Sequence, residues 1–356
     1  MKTFSSRVCL FFLFLSISVQ TICQAERPVW SKDKANAWYA RLPWMAGADF
    51  LPSSAINQLE MWQADSFDSV TIDRELGFAQ GIGMNVMRVY LHHLAWQVDK
   101  TGFKKRMNSY LSIANRHGIR TVFVFLDDCW NDTYKKGKQP LPKTGVHNSG
   151  WVQDPGKLID MDLTADKMLE QYVKDVLTAF RKDGRILLWD LYNEPGNSGY
   201  GNKSLPLLKK MFSWGRTVNP DQPLSAGVWD LKLTELNQFQ LQNSDVITYH
   251  NYMDENEHLK WIDSFLVKTG RPLICTEYMA RTRGSRFDNI MPLLHDRKIT
   301  AINWGLVAGK SNTIYAWDKP MPDGKEPGTW FHDIFRKDGT AYREEEVKLI
   351  RSFTSK

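Results

Sequence analysis

The stretch Ile186-Leu187-Leu188-Trp189-Asp190-Leu191-Tyr192-Asn193-Glu194-Pro195 decides the fold. It follows a charged turn at 181–184, begins as an apolar run and ends in polar residues. This pattern is typical of a strand buried on both faces of a parallel sheet. Pro195 has no N–H to donate, so the strand must end there. Glu194 therefore stands at the carboxyl end of a buried parallel strand, where an α/β barrel keeps its chemistry.

A second stretch of the same kind lies at Arg271-Pro272-Leu273-Ile274-Cys275-Thr276-Glu277-Tyr278. It follows a helix pattern that stops at Gly270, and it too is a short apolar strand that ends in a glutamate. Glycoside hydrolysis on a barrel requires at least two such carboxylates at the same rim.

Strand and helix patterns alternate along the whole chain, which predicts a single (β/α)8 TIM barrel of class α/β with long βα loops. The strand patterns lie at 44–50, 85–91, 121–126, 186–193, 223–228, 244–249, 271–277 and 300–305. The helix patterns lie at 73–81, 107–116, 165–180, 205–216, 257–268, 286–295 and 342–353. The loop from Cys129 to Asp162 is long and irregular, and its Trp and His residues suggest an ordered, substrate-facing loop.

The N-terminus has the pattern of a signal peptide. Lys2 and Arg7 precede an apolar run at 8–19, and Cys23-Gln24-Ala25 offers small residues at the cleavage positions. We expect a signal peptide at 1–25, a catalytic domain at 26–356, and export to the periplasm or the extracellular space. Ile22 is bulky where lipoprotein signals have a small residue, which disfavours a lipid anchor on Cys23. No other segment is long and apolar enough to span a membrane.

Composition narrows the remaining choices. The formal net charge of +6 is spread along the chain without a basic block, so we expect no nucleic-acid partner. We see no metal-ligand cluster and no nucleotide-binding glycine motif, and we expect no cofactor, no metal and a monomer. Outside the signal, Cys129 and Cys275 end non-adjacent strands, which favours two separate thiols over a disulfide.

Four motifs together resemble the clan A retaining glycoside hydrolases, and most of all family five, which includes cellulases, mannanases and xylanases. They are Leu-Tyr-Asn-Glu-Pro at 191–195, His-Asn-Tyr at 250–252, Cys-Thr-Glu-Tyr at 275–278 and Asn-Trp-Gly at 303–305. The resemblance covers essentially the whole chain after the signal. It implies that Glu194 is the general acid/base and that Glu277 is the nucleophile.

The resemblance also implies roles for residues around this pair. Asn193 would bind the sugar 2-hydroxyl, Tyr252 would donate to the nucleophile, and Arg88 would hold the nucleophile by charge. His250 would bind sugar or steady the acid/base, and Trp304 would form the floor under the sugar. Further candidates for sugar contacts are Asp49, His92, His147 and Trp151.

The sequence departs from the family pattern in two places. The histidine often found after the third strand is missing, and Asp127 and Asp128 stand there instead. The loop from Cys129 to Asp162 has no counterpart that can be carried over. Both departures lie where the substrate is chosen, so they leave the identity of the sugar open.

Three functions remain in view. The first is a retaining β-glycoside hydrolase that cleaves β-linked polysaccharide or oligosaccharide, such as glucan, mannan or xylan, by double displacement. The second is an exo-acting β-glycosidase on short oligosaccharides, because a long loop can wall off one end of a cleft. The third is a non-catalytic carbohydrate-binding protein on the same barrel, which would be expected to have lost one of the two carboxylates.

Overall fold

The computed structural model describes residues 25–160 and 163–355 of the chain. The predicted signal peptide therefore lies outside the described residues, apart from Ala25. The strands are β1 (Ala46–Asp49), β2 (Val86–Tyr90), β3 (Arg120–Asp127), β4 (Ile186–Asn193), β5 (Leu224–Ser225), β6 (Ile247–His250), β7 (Leu273–Glu277) and β8 (Thr300–Trp304). Within the described ranges, no helix is both long enough and apolar enough to cross a membrane.

The strands form one parallel sheet in the order β5-β4-β3-β2-β1-β8-β7-β6. Its two outer strands meet through the backbone just beyond β5. The amide of Val228 donates to the carbonyl of Thr248 at 3.1 Å, and the amide of His250 donates to Val228 at 2.9 Å. The sheet is thereby closed into a barrel, so the predicted (β/α)8 fold is confirmed.

The helices follow the strands and cover the outside of the barrel, except α1, which precedes β1 and lies at the amino ends of the strands. They are α1 (Lys32–Tyr39), α2 (Gln58–Trp62), α3 (Ser69–Gly81), α4 (His93–Val98), α5 (Lys100–Arg116), α6 (Leu163–Phe180), α7 (Leu205–Val218), α8 (Thr234–Asn243), α9 (Glu255–Thr269), α10 (Phe287–Asp296) and α11 (Glu344–Thr354). Helices α1, α2, α4 and α8 were not predicted. Helices α3 and α5 begin earlier than their apolar patterns indicated, because Asp68 and Asp99 cap them by accepting from the amides of Thr71 and Gly102.

Strand β5 is shorter than predicted. The sequence pattern gave six residues, whereas only Leu224 and Ser225 pair with β4. Gly227, which interrupts this strand, lies close to the ring of His250: a Cβ built there would be 3.3 Å from Nε2. A glycine inside a strand pattern commonly marks such a close approach, and it ends regular pairing here.

The N-terminal segment closes the barrel at the amino ends of the strands. The amide of Trp30 donates to Asp245 Oδ1 at 2.9 Å, and the hydroxyl of Tyr39 lies 3.0 Å from that of Thr300. Trp30 and Ala35 pack with inward-facing strand residues such as Val86, forming a core cluster at this end of the barrel. The opposite end, where the strands finish, is therefore the one left for a site.

Candidate active site

Glu194 directly follows β4, at the carboxyl end of the barrel. Its backbone has φ 43°, in the left-handed region that non-glycine residues rarely adopt and that is often found at functional sites. Its Oε1 lies 2.8 Å from Nδ1 of His250. Its Oε2 accepts from the thiol of Cys129 at 3.2 Å and from Nδ2 of Asn197. Both oxygens of this carboxyl group are thus held by side chains from three different loops or strands.

Glu277 is the last residue of β7 and is buried. The hydroxyl of Tyr252 donates to Oε2 at 2.7 Å, as the family resemblance implied. Nη1 of Arg88 and the hydroxyl of Tyr90 lie 2.8 Å from Oε1. Three donors, one of them cationic, therefore surround the predicted nucleophile and favour its ionised form.

Arg88, on β2, is fully buried and links the carboxylates beneath the site. Besides Glu277, it donates to Asp49 at 2.8 Å, to Asp190 at 2.8 Å and to Asn193 Oδ1 at 2.7 Å. Arg88 thus contacts the nucleophile rather than the cavity. Asp49, a candidate for a sugar contact, pairs with Arg88 and is not among the residues that line the cavity at the glutamate pair.

Burial raises the pKa of both glutamates, and their direct contacts distinguish them. Burial raises the pKa of Glu194, and the Cys129 thiol and Asn197 amide oppose this. Burial also raises the pKa of Glu277, whereas the charge of Arg88 and the hydrogen bond from Tyr252 lower it. Because Arg88 contacts Glu277 directly, we assign the first negative charge of the pair to Glu277. Burial lowers the pKa of His250 to about 4, so His250 is neutral near pH 7.

The two carboxyl groups lie close together. One oxygen of Glu194 and one of Glu277 are within 4.8 Å, and His250 Nδ1 is near both. Retaining glycosidases hold their carboxyl groups about 5–5.5 Å apart, whereas inverting enzymes leave about 6.5–9.5 Å for a water molecule. The nearest oxygens of Glu194 and Glu277 are therefore closer than the spacing that an inverting pair needs.

A cavity of about 550 Å³ opens above the glutamate pair. Its walls are largely aromatic, formed by Trp130, Trp151, Trp229, Tyr252, Trp304 and Trp317. No lysine or arginine is among the described residues that line it. Flat aromatic walls and the absence of a lining cation fit an uncharged ligand with apolar faces, such as a sugar ring.

The structure brings most of the predicted sugar-contacting residues to this cavity. Asn193, Tyr252, Trp304, His147 and Trp151 all line it. Trp151 is held by a hydrogen bond of 2.7 Å from its Nε1 to Asp127 Oδ2, and its ring lies edge-on to that of Trp304. His250 is not among the lining residues, but its contact with Glu194 agrees with the role of steadying the acid/base.

His92, another candidate for a sugar contact, is not among the residues that line the cavity. Its Nδ1 accepts from the amide of Leu94 at 3.1 Å, and its Nε2 lies 3.1 Å from the carbonyl of Gln153. Both ring nitrogens are therefore used to start α4 and to hold the loop after β3. A polar residue at a strand tip can equally well cap the next helix, and His92 does so.

Several residues of the site were missed in the sequence. They are Tyr90, Cys129, Asn197, Trp229, Trp317 and His332. Tyr90 could have been found, because it lies two residues after Arg88 on one strand and so shares its face. The others stand on irregular segments, where no period indicates which side chains face inward.

Two groups of described residues have the geometry to hold a metal ion. One is Glu194, His250 and Glu277 themselves. The other is His92, His93 and Asp154, beneath the loop after β3. There, Asp154 already accepts from the backbone amide of His93 at 2.7 Å and from its ring, so the group has the pattern of a structural cluster.

Comparison with solved structures places the fold among glycoside hydrolases. The endo-beta-1,4-mannanase from Thermotoga petrophila aligns with a TM-score of 0.55 at 16% identity, covering 89% of this chain and 77% of that one. The beta-mannanase from the blue mussel Mytilus edulis aligns with a TM-score of 0.54 at 13% identity, covering 88% and 92%. A GH5_18 protein from Bifidobacterium longum subsp. longum, in complex with Manb1-4GlcNAc, gives 0.62 at 12% identity, covering 88% and 78%.

Comparison of the sequence with known proteins finds less than comparison of the structure does. No protein-family model matches it, and no curated protein matches it in sequence. At these identities the solved structures establish the architecture alone, and function must be inferred from the residues of the site. The chain thus has the barrel fold of the family-five glycoside hydrolases of clan A that its motifs resemble.

Proposed function

We propose that this protein is a retaining β-glycoside hydrolase that cleaves β-linked carbohydrate by double displacement. The observation that carries the proposal is the glutamate pair. Glu194 and Glu277 end β4 and β7 and place carboxylate oxygens within 4.8 Å of each other at the base of an aromatic cavity. A non-catalytic sugar-binding protein would need neither carboxylate in this arrangement.

In the first step, Glu277 attacks the anomeric carbon while Glu194 gives its proton to the leaving-group oxygen. The glycosidic bond breaks, the leaving group departs as an alcohol, and the sugar is left as an ester of Glu277. In the second step, Glu194 takes a proton from water, which attacks the anomeric carbon and releases Glu277 as a carboxylate. Two displacements at one carbon restore its original configuration.

The surroundings of Glu194 suit its change of role. Before the reaction, burial raises the pKa of Glu194, and an ionised Glu277 within 4.8 Å also favours the protonated form of Glu194. Esterification removes that negative charge, so the pKa of Glu194 falls and it can act as a base. Arg88 stays paired with Asp49 and Asp190 throughout, which keeps the nucleophile in position.

The cavity favours a neutral sugar. Besides three carboxyl residues, the described lining has aromatic faces and neutral polar groups but no lysine or arginine to pair with an acidic sugar. Glucan, mannan and xylan all satisfy this requirement. Because the names of the neighbours in Thermotoga petrophila and Mytilus edulis state mannanase activity, β-mannan is the first substrate to test.

The test combines aryl β-glycosides and β-linked polysaccharides with three variants. Glu277→Ala should lose turnover of every substrate, because no ester can form. Glu194→Ala should still release an activated aryl leaving group and then stall, and azide should restart it and yield a β-glycosyl azide. Glu255→Ala, at an exposed glutamate on α9, is the matched control and should behave as the wild type. An α-anomer as the first product of a β-glycoside, read by proton NMR, would refute the mechanism.

A further inference from the structure

Two loops meet across the mouth of the barrel and close one side of the cavity. The first follows β3 and is described over residues 128–160; the second follows β8 and spans residues 305–343. The amide of Asn148 donates to Ser311 at 2.8 Å, and the amide of Met321 donates to Gly145 at 2.9 Å. Nδ2 of Asn312 donates to Lys143 at 2.9 Å. We refer to this contact as the loop junction.

Gly145 makes the close approach of the two loops possible. Its φ of +66° is in the left-handed region, and a Cβ built on it would lie 1.7 Å from the carbonyl oxygen of Met321. No side chain fits there unless the loops separate. Gly137, on the same loop, also has a positive φ of +88°, but a Cβ there would meet nothing within 4 Å. The chain thus offers a matched pair of glycines, one at the junction and one away from it.

The loop junction closes the side of the cavity that belongs to the nucleophile. His332, on the β8 loop, lies beside Tyr252, with ring centroids 5.8 Å apart, and Tyr252 donates to Glu277. On the other side, Asn197 and the exposed Ser198 line the cavity beside Glu194. Glu194 protonates the leaving group, so the leaving group lies on the open side. The closed side therefore receives the sugar that Glu277 attacks.

Two histidines lie at this closed end, and in each the ring nitrogen Nε2 is fixed as a hydrogen-bond acceptor. His147 Nδ1 lies 2.8 Å from the carbonyl of Tyr315, and His332 Nδ1 lies 2.6 Å from that of Met279. A carbonyl only accepts, so each Nδ1 carries the proton and each Nε2 carries a lone pair. Burial lowers the pKa of His147 to about 4 and that of His332 well below its usual range, so both rings are neutral.

Both rings line the cavity, and their centroids are 5.4 Å apart. His332 Nε2 is buried and has no hydrogen-bond partner among the described residues. A buried polar atom of this kind normally has a partner, so it points to a ligand that supplies one. The ligand must bring O–H or N–H donors, because two neutral acceptors repel a carboxylate.

We propose that His147 and His332 bind hydroxyl groups of the non-reducing terminal sugar, and that the loop junction behind them makes the enzyme remove one sugar residue at a time. This inference rests on the proposed function, since it assigns the two ends of the cavity from the roles of Glu277 and Glu194. It selects the exo-acting alternative and excludes acidic terminal sugars.

The first experiment reads where cleavage occurs. Manno-, gluco- and xylo-oligosaccharides, from disaccharide to hexasaccharide and labelled at the reducing end, are followed from the earliest time points. We expect a free monosaccharide and a labelled chain one residue shorter, and no cleavage when the non-reducing residue carries a benzylidene cap. Early products shortened by several residues, or equal cleavage of capped chains, would overturn the inference while leaving β-glycoside hydrolysis intact.

A binding measurement keeps the inference testable if no substrate is turned over. Tryptophan fluorescence of the wild type reports binding of thio-linked disaccharides, which cannot be hydrolysed, because several tryptophans line the cavity. We expect a capped thio-disaccharide to bind at least about tenfold more weakly than the uncapped one. That result without any hydrolysis would reject the proposed function but support the closed cavity. Equal binding of both would reject the closed cavity.

Glycine variants test the role of the loop junction separately from the role of the two histidines. Gly145→Val should let the enzyme accept capped substrates, whereas Gly137→Val should not, although both glycines have positive φ. If Gly145→Val still rejects capped substrates while remaining folded by circular dichroism, the loop junction does not set the end of the cavity.

The histidines are tested with monodeoxy aryl glycosides. His147→Leu and His332→Leu should each lower kcat/KM about tenfold for the parent glycoside but little for the analogue that lacks the partner hydroxyl. His295→Leu, on α10 at the opposite end of the barrel, is the control. An equal loss for the parent and for every deoxy analogue would mean that the histidines only support the loops, and the proposal would fail.

Discussion

Replacing Arg88 by methionine removes the only positive charge in direct contact with the nucleophile among the described residues while roughly keeping the length of the side chain. Arg88 is fully buried and pairs with three carboxylates, those of Asp49, Asp190 and Glu277. The variant leaves all three without a cation. Some of them must then take up a proton, and Glu277 needs its charge for catalysis.

The size of the effect follows from these contacts. Breaking a buried ion pair by removing one partner costs about 3–5 kcal/mol of unfolding free energy. For a chain of this length, about 1.4 °C of Tm is lost per kcal/mol, so we expect Tm to fall by about 4–7 °C. An opposite charge in contact lowers a carboxyl pKa by about 1–3 units, so the pKa of Glu277 should rise by that amount in the variant. A higher pKa leaves less Glu277 ionised at a given pH, and the acid limb of kcat/KM moves to higher pH.

The assay is the pH profile of kcat/KM on an activated aryl β-glycoside, measured below the melting temperature of each variant. Arg88→Lys is the matched variant: it keeps the charge but cannot reproduce the fork of donors to Asp190 and Asn193. It should lose stability with a smaller shift of the acid limb. If Arg88→Met folds and its acid limb stays where the wild type has it, Arg88 does not set the charge of Glu277.

The same pH profile tests Cys129, whose thiol donates to Glu194. Cys129→Ala should raise the pKa of Glu194 and move the basic limb of kcat/KM up by about one unit or less, whereas Cys129→Ser should not. An unmoved basic limb in the alanine variant would contradict this role of the thiol. Cys129 and Cys275 are separate free thiols. Alkylation in denaturant without reductant should label both, and failure to label either would reveal a disulfide. In the native protein the half-buried Cys129 should react before the buried Cys275. Export is tested by intact mass, for which we expect a mature N-terminus at Glu26; a diacylglyceryl adduct on Cys23 would instead show a lipid anchor.

The barrel and the positions of its two strand-end glutamates could be predicted because their signals are local. A short apolar run that stops at Pro195 specifies a strand end, and Glu194 needs no further context to be placed there. The same holds for Glu277 after its own apolar run. Short or strongly capped elements behave differently: α4 spans only His93–Val98, and its start depends on His92 accepting from the backbone. A pattern of apolar spacing does not record such a cap.

The closed end of the cavity could not be predicted, because it is a product of long-range contacts. His332 faces His147 only because the β8 loop reaches the β3 loop, which is distant in sequence. Neither loop has a period of two or of 3.6, so spacing gives no direction for the side chains. A sugar contact by His147 was predicted from its residue type alone, and no residue near it in sequence indicates His332 as its partner.

Cys129 lies two residues beyond the end of β3, and its chemistry suits a neighbour of the proposed acid/base. Its S–H donates to Glu194 when that group is ionised, and its sulfur can accept, weakly, when Glu194 is protonated. Burial raises the pKa of Cys129 well above its usual range, so the thiol stays neutral and adds no charge to the site. A cation in this place would hold Glu194 ionised in both halves of the cycle. With a neutral thiol, the pKa of Glu194 responds mainly to the charge on Glu277, so in the proposed mechanism forming and breaking the sugar ester itself switches Glu194 between acid and base.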